Sequence, residues 1–383
     1  MSRKEYSFIE VCDIQGGTQP PKDEFVYEKK EGYIRLLQIQ DFKREDKTVY
    51  IKDRHTLKKC NDDDILIGRY GASIGKILSG LSGAYNVALV KAIPDLKKIN
   101  KRFLWHFLNS EVFQEFIKNV STRAAKAGFN KDDLAKLKIY LPSLNEQVKI
   151  ASVLDVSDAI RKKREQTIKL ADDFLRATYL EMFGTPAHNT HHFPKGTIRD
   201  LVNSVNYGTS AKASVDSGEY PVLRMGNITY QGGWDFTDLK YIDLSVKEKD
   251  KFLVKEGDLL FNRTNSKELV GKTAVYEEER PMAFAGYLIR VRPNPIGNNY
   301  YISGYLNSTH GKITLMNMCK SIVGMANINA QELQNIEILI PPKHLQDEYE
   351  IIYKKVKKGL SIYDKSAMQL QLLASNLSNK YFM

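Results

Sequence analysis

Ser143-Leu144-Asn145-Glu146-Gln147-Val148-Lys149-Ile150-Ala151-Ser152-Val153-Leu154-Asp155 opens a run that reaches Phe183 without a proline or a glycine. Its first four residues form a capping-box pattern, in which the serine side chain accepts from a backbone N–H and the glutamate reaches back. Gly184 and Pro186 close it, as helix C-termini commonly end. The pattern predicts one helix from about Asn145 to Phe183, roughly 58 Å long at 1.5 Å per residue. A helix that long needs apolar support along its length.

The C-terminal segment offers that support. Val356, Leu360, Tyr363, Ala367, Leu370, Ala374, Leu377 and Tyr381 are spaced alternately by four and three, the period of a coiled-coil seam. Ile150, Leu154, Ile168, Ala171, Leu175 and Met182 make a comparable stripe on the first run, interrupted by Ser157, Arg161 and Arg164. Gly359 weakens the second helix by about 1 kcal/mol, which the seam can offset. The two are expected to pair with each other rather than pack each on its own domain.

Outward from these helices, the chain repeats itself. Leu36-Leu37-Gln38-Ile39-Gln40-Asp41-Phe42 returns as Val222-Leu223-Arg224-Met225-Gly226-Asn227-Ile228, and Asp64 to Arg69 returns as Asp258 to Arg263. Leu108-Asn109-Ser110 matches Leu306-Asn307-Ser308; Asn130, Leu134 and Pro142 match Asn329, Leu333 and Pro341. Four matches in one order mark a duplication, with halves of roughly 1–183 and 184–383. In the first half, β-branched runs predict strands at Ile34–Ile39, Ile65–Ile67 and Val87–Val90. A helical stretch follows at Phe103–Val120, then a strand at Leu137–Leu141. The fold expected is mixed α/β, with two duplicated domains, each followed by a long helix.

A net charge of +11 points to a polyanionic partner, nucleic acid before an anionic membrane. Met1 to Tyr6 is not followed by the apolar stretch of a signal peptide, and no run approaches the ~18 apolar residues of a membrane span. Cys12, Cys60 and Cys319 are odd in number and far apart. They are read as buried free thiols in a reducing cytoplasm. Gly71-Ala72-Ser73-Ile74-Gly75-Lys76 resembles a phosphate loop but is one residue short between its glycines, and Ile77 replaces the hydroxyl residue. Val270-Gly271-Lys272-Thr273 lacks the earlier glycine. His188, His191 and His192 have no cysteine or third ligand at zinc spacing and read as linker. Methyltransferase and nucleotide-binding motifs are missing, and no nuclease cluster stands out. The expectation is therefore a chain that is not itself an enzyme and holds no metal.

Leu141-Pro142-Ser143-Leu144-Asn145-Glu146-Gln147, then Ile150 to Asp155, Asp158-Ala159-Ile160 and Glu181-Met182-Phe183-Gly184, resembles the conserved segment of Type I restriction-modification specificity subunits. Leu223 to Ile228 and Gly83 to Leu89 are similar to elements inside their target recognition domains. The second helix entry, Pro341 to Glu348, keeps only a loose version. The resemblance implies two target recognition domains, at 1–143 and 184–342, separated by two long antiparallel coiled-coil helices, the conserved spacer helices at 144–183 and 343–383. Each domain would read one half of a split DNA site, and the diverged loops Arg69 to Ser73 and Arg263 to Lys267 make that site asymmetric. Two modification subunits would dock around the helices, and restriction subunits would join them. S-adenosylmethionine, ATP and Mg would sit on those partners, and this chain would hold no cofactor. The recognition subunit of a Type II system that cuts on both sides of its site has the same pattern.

DNA reading needs cations for phosphates and a few groups for base edges. In the first domain the candidates are Arg69, Tyr70, Ser73 and Lys76 in one loop, with Arg123, Lys126, Asn130 and Lys131 further on. In the second they are Arg263, Thr264, Asn265, Lys267 and Lys272, with Arg224 and Lys320. Arg69 and Arg263 occupy matching places, which fits either a shared DNA contact or a shared structural ion pair. Arg161-Lys162-Lys163-Arg164 covers the whole helix circumference. It reads either as a contact to DNA or to a modification subunit, or as a solvated face.

Overall fold

The computed structural model describes residues 3–44, 47–123, 128–266, 269–322 and 325–382. Within these, the side chains of 123, 320–322, 325, 362, 364–368, 370 and 371 lie outside the description. The chain forms two units, one of Met1–Lys163 with Ser366–Met383 and one of Arg164–Lys365. The long helices, Leu144–Phe183 and Lys343–Phe382, are each 40 residues. The first unit therefore holds the start of the first helix and the end of the second, and the other unit holds the remaining halves.

The first unit contains two four-stranded sheets. One runs Cys12–Gly16, Leu89–Pro94, Ile65–Gly68, Ile77–Leu78, antiparallel throughout. The other runs Tyr50–Lys52, Tyr33–Leu37, Gly83–Tyr85, Lys59–Cys60, with its central pair parallel. A ribbon of Lys4–Ser7 and Lys138–Leu141 completes it. The core gathers Phe8, Phe103, Phe107 and Phe113 with Ile150 and Leu154 of the first long helix and Phe382 of the second. Phe382 meets Phe103 and Phe107 edge-on at 5.2 and 5.7 Å.

The second unit repeats this plan. Its antiparallel sheet is Val202–Tyr207, Leu288–Pro293, Leu259–Asn262, Thr273–Val275, and its mixed sheet is Lys240–Ile242, Tyr220–Leu223, Met282–Phe284, Leu253–Val254. The ribbon is Lys195–Thr197 with Glu337–Leu339. A further three-stranded piece joins Thr264–Asn265, Met325–Asn327 and Lys320–Ile322. Tyr179 and Phe183, from the end of the first long helix, are fully buried in this core against Tyr301 and Tyr349. Within the unit the two helix segments run antiparallel, since Tyr179 meets Tyr349 while Asp172 meets Lys357 at 3.3 Å.

Several expectations shift. The stretch Phe103–Val120 is two helices, Lys101–Asn109 and Glu111–Arg123. Ser110 sits between them in extended backbone, with its hydroxyl donating to Phe107 O at 2.6 Å; a serine that bonds its own backbone competes with helix continuation. Ser308 does the same between Asn299–Asn307 and Thr309–Met318. No strand begins at Val87, because Asn86 folds back to accept from Ala88 N and the strand starts at Leu89. The seams are interrupted: Leu175 and Leu360 are buried, whereas Ile168 and Tyr363 are exposed. Ala367 and Leu370 lie outside the described side chains. The helix halves take much of their support from the globular cores, as Phe382, Tyr179 and Phe183 show. Cys12 and Cys60 are buried and Cys319 is half-buried. No described helix is long and apolar enough to cross a membrane.

Candidate nucleic-acid interface

In each unit one end of the paired sheets is closed by four chain segments tied through backbone hydrogen bonds. In the first, Gly17 N donates to Leu89 O, Thr18 N to Tyr85 O, Arg69 N to Ala88 O and Asn86 N to Leu37 O, all between 2.8 and 3.1 Å. In the second, Gly208 N donates to Leu288 O, Thr209 N to Phe284 O, Arg263 N to Tyr287 O and Ala285 N to Leu223 O, at 2.9–3.3 Å. The chain passes so closely at Gly17 that a Cβ there would stand 2.1 Å from Asn86 O, and at Gly208 2.3 Å from Phe284 O. Only glycine fits either place. The recurring pairs Gly17-Thr18 and Gly208-Thr209 carry this requirement in the sequence.

On this platform Arg69 is half-buried. Its Nε donates to Phe129 O at 3.1 Å and its guanidinium lies 5.1 Å from the Tyr70 ring. Arg263 lies 4.8 Å over the Tyr207 ring, and its carbonyl accepts from Ile328 N. The matching arginines thus stack on aromatic rings, and the one bond described for a guanidinium goes to a backbone carbonyl. Tyr70 is exposed and bridges to Gly128. Ser73 lies in the turn Gly71–Ser73, with Gly71 and Gly75 at positive φ. Lys76 is half-buried, and its carbonyl accepts from Gly68 N. Thr264 Oγ1 donates to Asn327 Oδ1 at 3.2 Å, and Asn265 Oδ1 accepts from Ser266 N.

Of the other candidates, some are tied into the fold and some stand exposed. Asn130 is the N-cap of Lys131–Leu134, accepting from Asp133 N at 2.9 Å while its own N–H goes to the Asp133 carboxylate. Asn329 caps Ala330–Gln334 in the same way, so the repeated asparagine marks a helix start in both units. Lys272 is buried, with Nζ donating to Met225 O at 2.8 Å and to Ile228 O. Burial holds its pKa below the usual lysine value. Both carbonyls belong to the turn after Leu223, so Lys272 holds that turn from beneath. Arg224 reaches Asp238 through the carbonyl and the carboxylate, both at 2.8 Å. Lys131 pairs with Asp13 at 2.6 Å and holds that carboxyl below its ordinary value. Arg161, Lys162 and Lys163 are exposed, Arg164 is half-buried, and Arg161 Nε lies 3.9 Å from Asp158. Lys126 and Lys267 lie outside the described residues, as do the side chains of Arg123 and Lys320.

The first unit also holds a recess of about 400 Å³ whose lining includes Gln38, Gln40, Lys43, Arg44, Ser73 and Asn86. Of these only Ser73 was among the candidates. Gln38 and Gln40 lie inside a repeated segment whose matches are apolar, and Lys43, Arg44 and Asn86 join them only through the fold.

Comparison with known proteins agrees with this arrangement. The model of the Type I restriction modification DNA specificity domain matches residues 3–170 and again 193–370. The EcoKI specificity subunit of Escherichia coli is 23% identical over 399 residues, covering 96% of this chain and 84% of the relative. A putative Type I specificity subunit, MjaX, of Methanocaldococcus jannaschii is 30% identical over 171 residues, covering 44% of this chain and 38% of the relative. Among solved structures, the Type I S subunit from M. genitalium superposes with a TM-score of 0.64 at 16% identity, covering 100% of this chain and 96% of that one. Another, from work on the assembly of the type I R-M system, gives 0.53 at 15% identity, with 99% and 97% covered. These structural likenesses speak for the fold. With two specificity domains in tandem, each carrying the same loop platform, the chain belongs to the Type I restriction-modification DNA specificity family.

Proposed function

We propose that each loop platform reads one half of a bipartite duplex site, and that the chain directs modification and restriction carried out by partner subunits. The observation that supports this best is the contrast within the platforms. Backbone ties and glycines recur between the units, while the side chains set on them differ. Arg69-Tyr70-Gly71-Ala72-Ser73 stands where the other unit has Arg263-Thr264-Asn265-Ser266. A base pair is selected by matching donors and acceptors to its edge, so the two platforms select different sequences and the full site is not a palindrome. The net charge of +11 supplies the phosphate attraction that any duplex requires. In this reading S-adenosylmethionine, ATP and Mg bind to the modification and restriction subunits, which the long helices help to seat.

The test is to assemble the chain with its modification subunits and map the methylated bases in cellular DNA. A two-part motif with unlike halves is expected, together with an affinity that falls steeply as salt rises from 50 to about 200 mM. A palindromic motif, or binding indifferent to salt, would overturn the reading.

A further inference from the structure

The recess of the first unit has a chemical character that the second unit does not share. Gln38 and Gln40 flank Ile39 where the strand Tyr33–Leu37 turns into the short helical turn Ile39–Phe42. The carboxylate of that turn, Asp41, is spent inward: it is buried, accepts from Gln38 N at 2.6 Å and pairs with Arg35 at 3.3 Å. Asn86 is fixed against the same strand by its N–H to Leu37 O. Its Oδ1 already accepts from Ala88 N at 3.1 Å, so the NH2 is the polar group it has left. Three carboxamides thus meet the cations Lys43 and Arg44 and the turn bearing Ser73 in one recess.

A carboxamide carries one donor and one acceptor side by side. The major-groove edge of adenine offers the complement, the N7 acceptor and the N6 donor, whereas guanine offers two acceptors and suits arginine. Lys43 and Arg44 are exposed and suit the flanking phosphates. In the second unit the places of Gln38 and Gln40 are taken by Arg224 and Gly226, and Asn86 is replaced by Ala285, whose N–H makes the same bond to Leu223 O. Arg224 is held by Asp238, and Met225 between them is exposed. The backbone is shared and the carboxamides are not.

We propose that Gln38 and Gln40, with the Asn86 NH2 as a further donor beside them, are specificity-determining residues through which the first unit selects adenine in its half-site. This rests on the DNA-reading function proposed above. The experiment is selection from duplexes randomised in both half-sites, using the chain assembled with its modification subunits. Wild type is compared with Gln38→Ala, Gln40→Ala, Asn86→Ala and Gln40→Glu. The expected result is a loss of adenine preference of about 5- to 150-fold at one position of one half-site, with the other half-site read as before. Gln40→Glu, which keeps the shape and loses the donor, should shift that position toward cytosine. Gln40 is exposed, so its replacement leaves the fold intact, and the remaining positions of the same half-site report folding of the first unit in every variant. If all three alanine variants keep the wild-type preference at every position, or lose only overall affinity, the assignment falls while the reading function stands. A wild-type complex with no sequence preference would remove the function and the assignment together.

Discussion

Two buried glutamines, Gln147 and Gln346, hold the same place in the two units, four residues into the long helices. Each donates to the proline carbonyl just before its helix, Pro142 at 3.0 Å and Pro341 at 2.9 Å, and each reaches a carbonyl before the next short helix, Lys98 or Ile296. Two turns further along, the units part. Asp155 in the first takes hydrogen bonds from Arg102 and from His106, the latter at 2.8 Å. Burial acts to raise the Asp155 pKa, but these partners outweigh it and hold the carboxyl below its usual range. The matching residue in the second unit is Lys354, whose ammonium pairs with Glu350 at 2.8 Å and lies 5.0 Å over the Tyr300 ring. What recurs is what satisfies buried backbone groups, because leaving them unpaired is expensive in any copy. What diverges lies nearer solvent, where many charge arrangements serve equally well.

The comparison is most exposed to failure at Gly17 and Gly208. An alanine at either meets two backbone carbonyls inside 2.5 Å, so each substitution should destabilise its own unit by about 3 kcal/mol or more. Hydrogen exchange resolved by unit would show protection lost in one unit and kept in the other. A tolerated Gly208→Ala beside a damaging Gly17→Ala would mean that the platforms are not built alike.

A smaller and unequal effect is expected at the glutamines. Gln147 also accepts from Asn100 N at 2.8 Å, whereas Gln346 Oε1 is buried with no hydrogen bond among the described residues. Gln147→Ala strands three backbone groups and Gln346→Ala two. Denaturant unfolding should show losses of about 2–4 kcal/mol and about 1–3 kcal/mol respectively. The reverse order would contradict the hydrogen-bond assignment.

The smallest effect is on pH dependence. Burial holds the His106 imidazole below its ordinary pKa, although Asp155 pulls the other way. A histidine with a depressed folded pKa contributes stability that is present above its unfolded value, near ~6.5. That stability is lost as pH falls through the folded value. The first unit should therefore weaken slightly between pH 7 and pH 5, and His106→Gln should flatten that slope. The second unit has Gly304 at this place and no histidine to titrate there. An unchanged slope in His106→Gln would assign the acid sensitivity to carboxylates instead.

Much of this architecture could be read from the chain. The helix from the Ser143 capping box to Gly184, the duplication, and the strands around Leu36 and Leu66 are local statements, set by capping chemistry and side-chain period within a few residues. Tertiary packing decided the rest. Lys272 and Asn130 carry good DNA-binding chemistry, yet one is buried beneath a turn and the other caps a helix. A residue type states what a side chain can bond to, and only the fold states what has already taken that bond. Phe382 closes a core whose other buried members end at Leu154, Tyr179 and Phe183 meet Tyr301 and Tyr349 more than a hundred residues on, and the recess of Gln38, Gln40 and Asn86 joins segments almost fifty residues apart. The recess is fixed by backbone closure at Leu37, Tyr85 and Leu89 and the aromatic meetings by core packing, long-range conditions that no local pattern encodes.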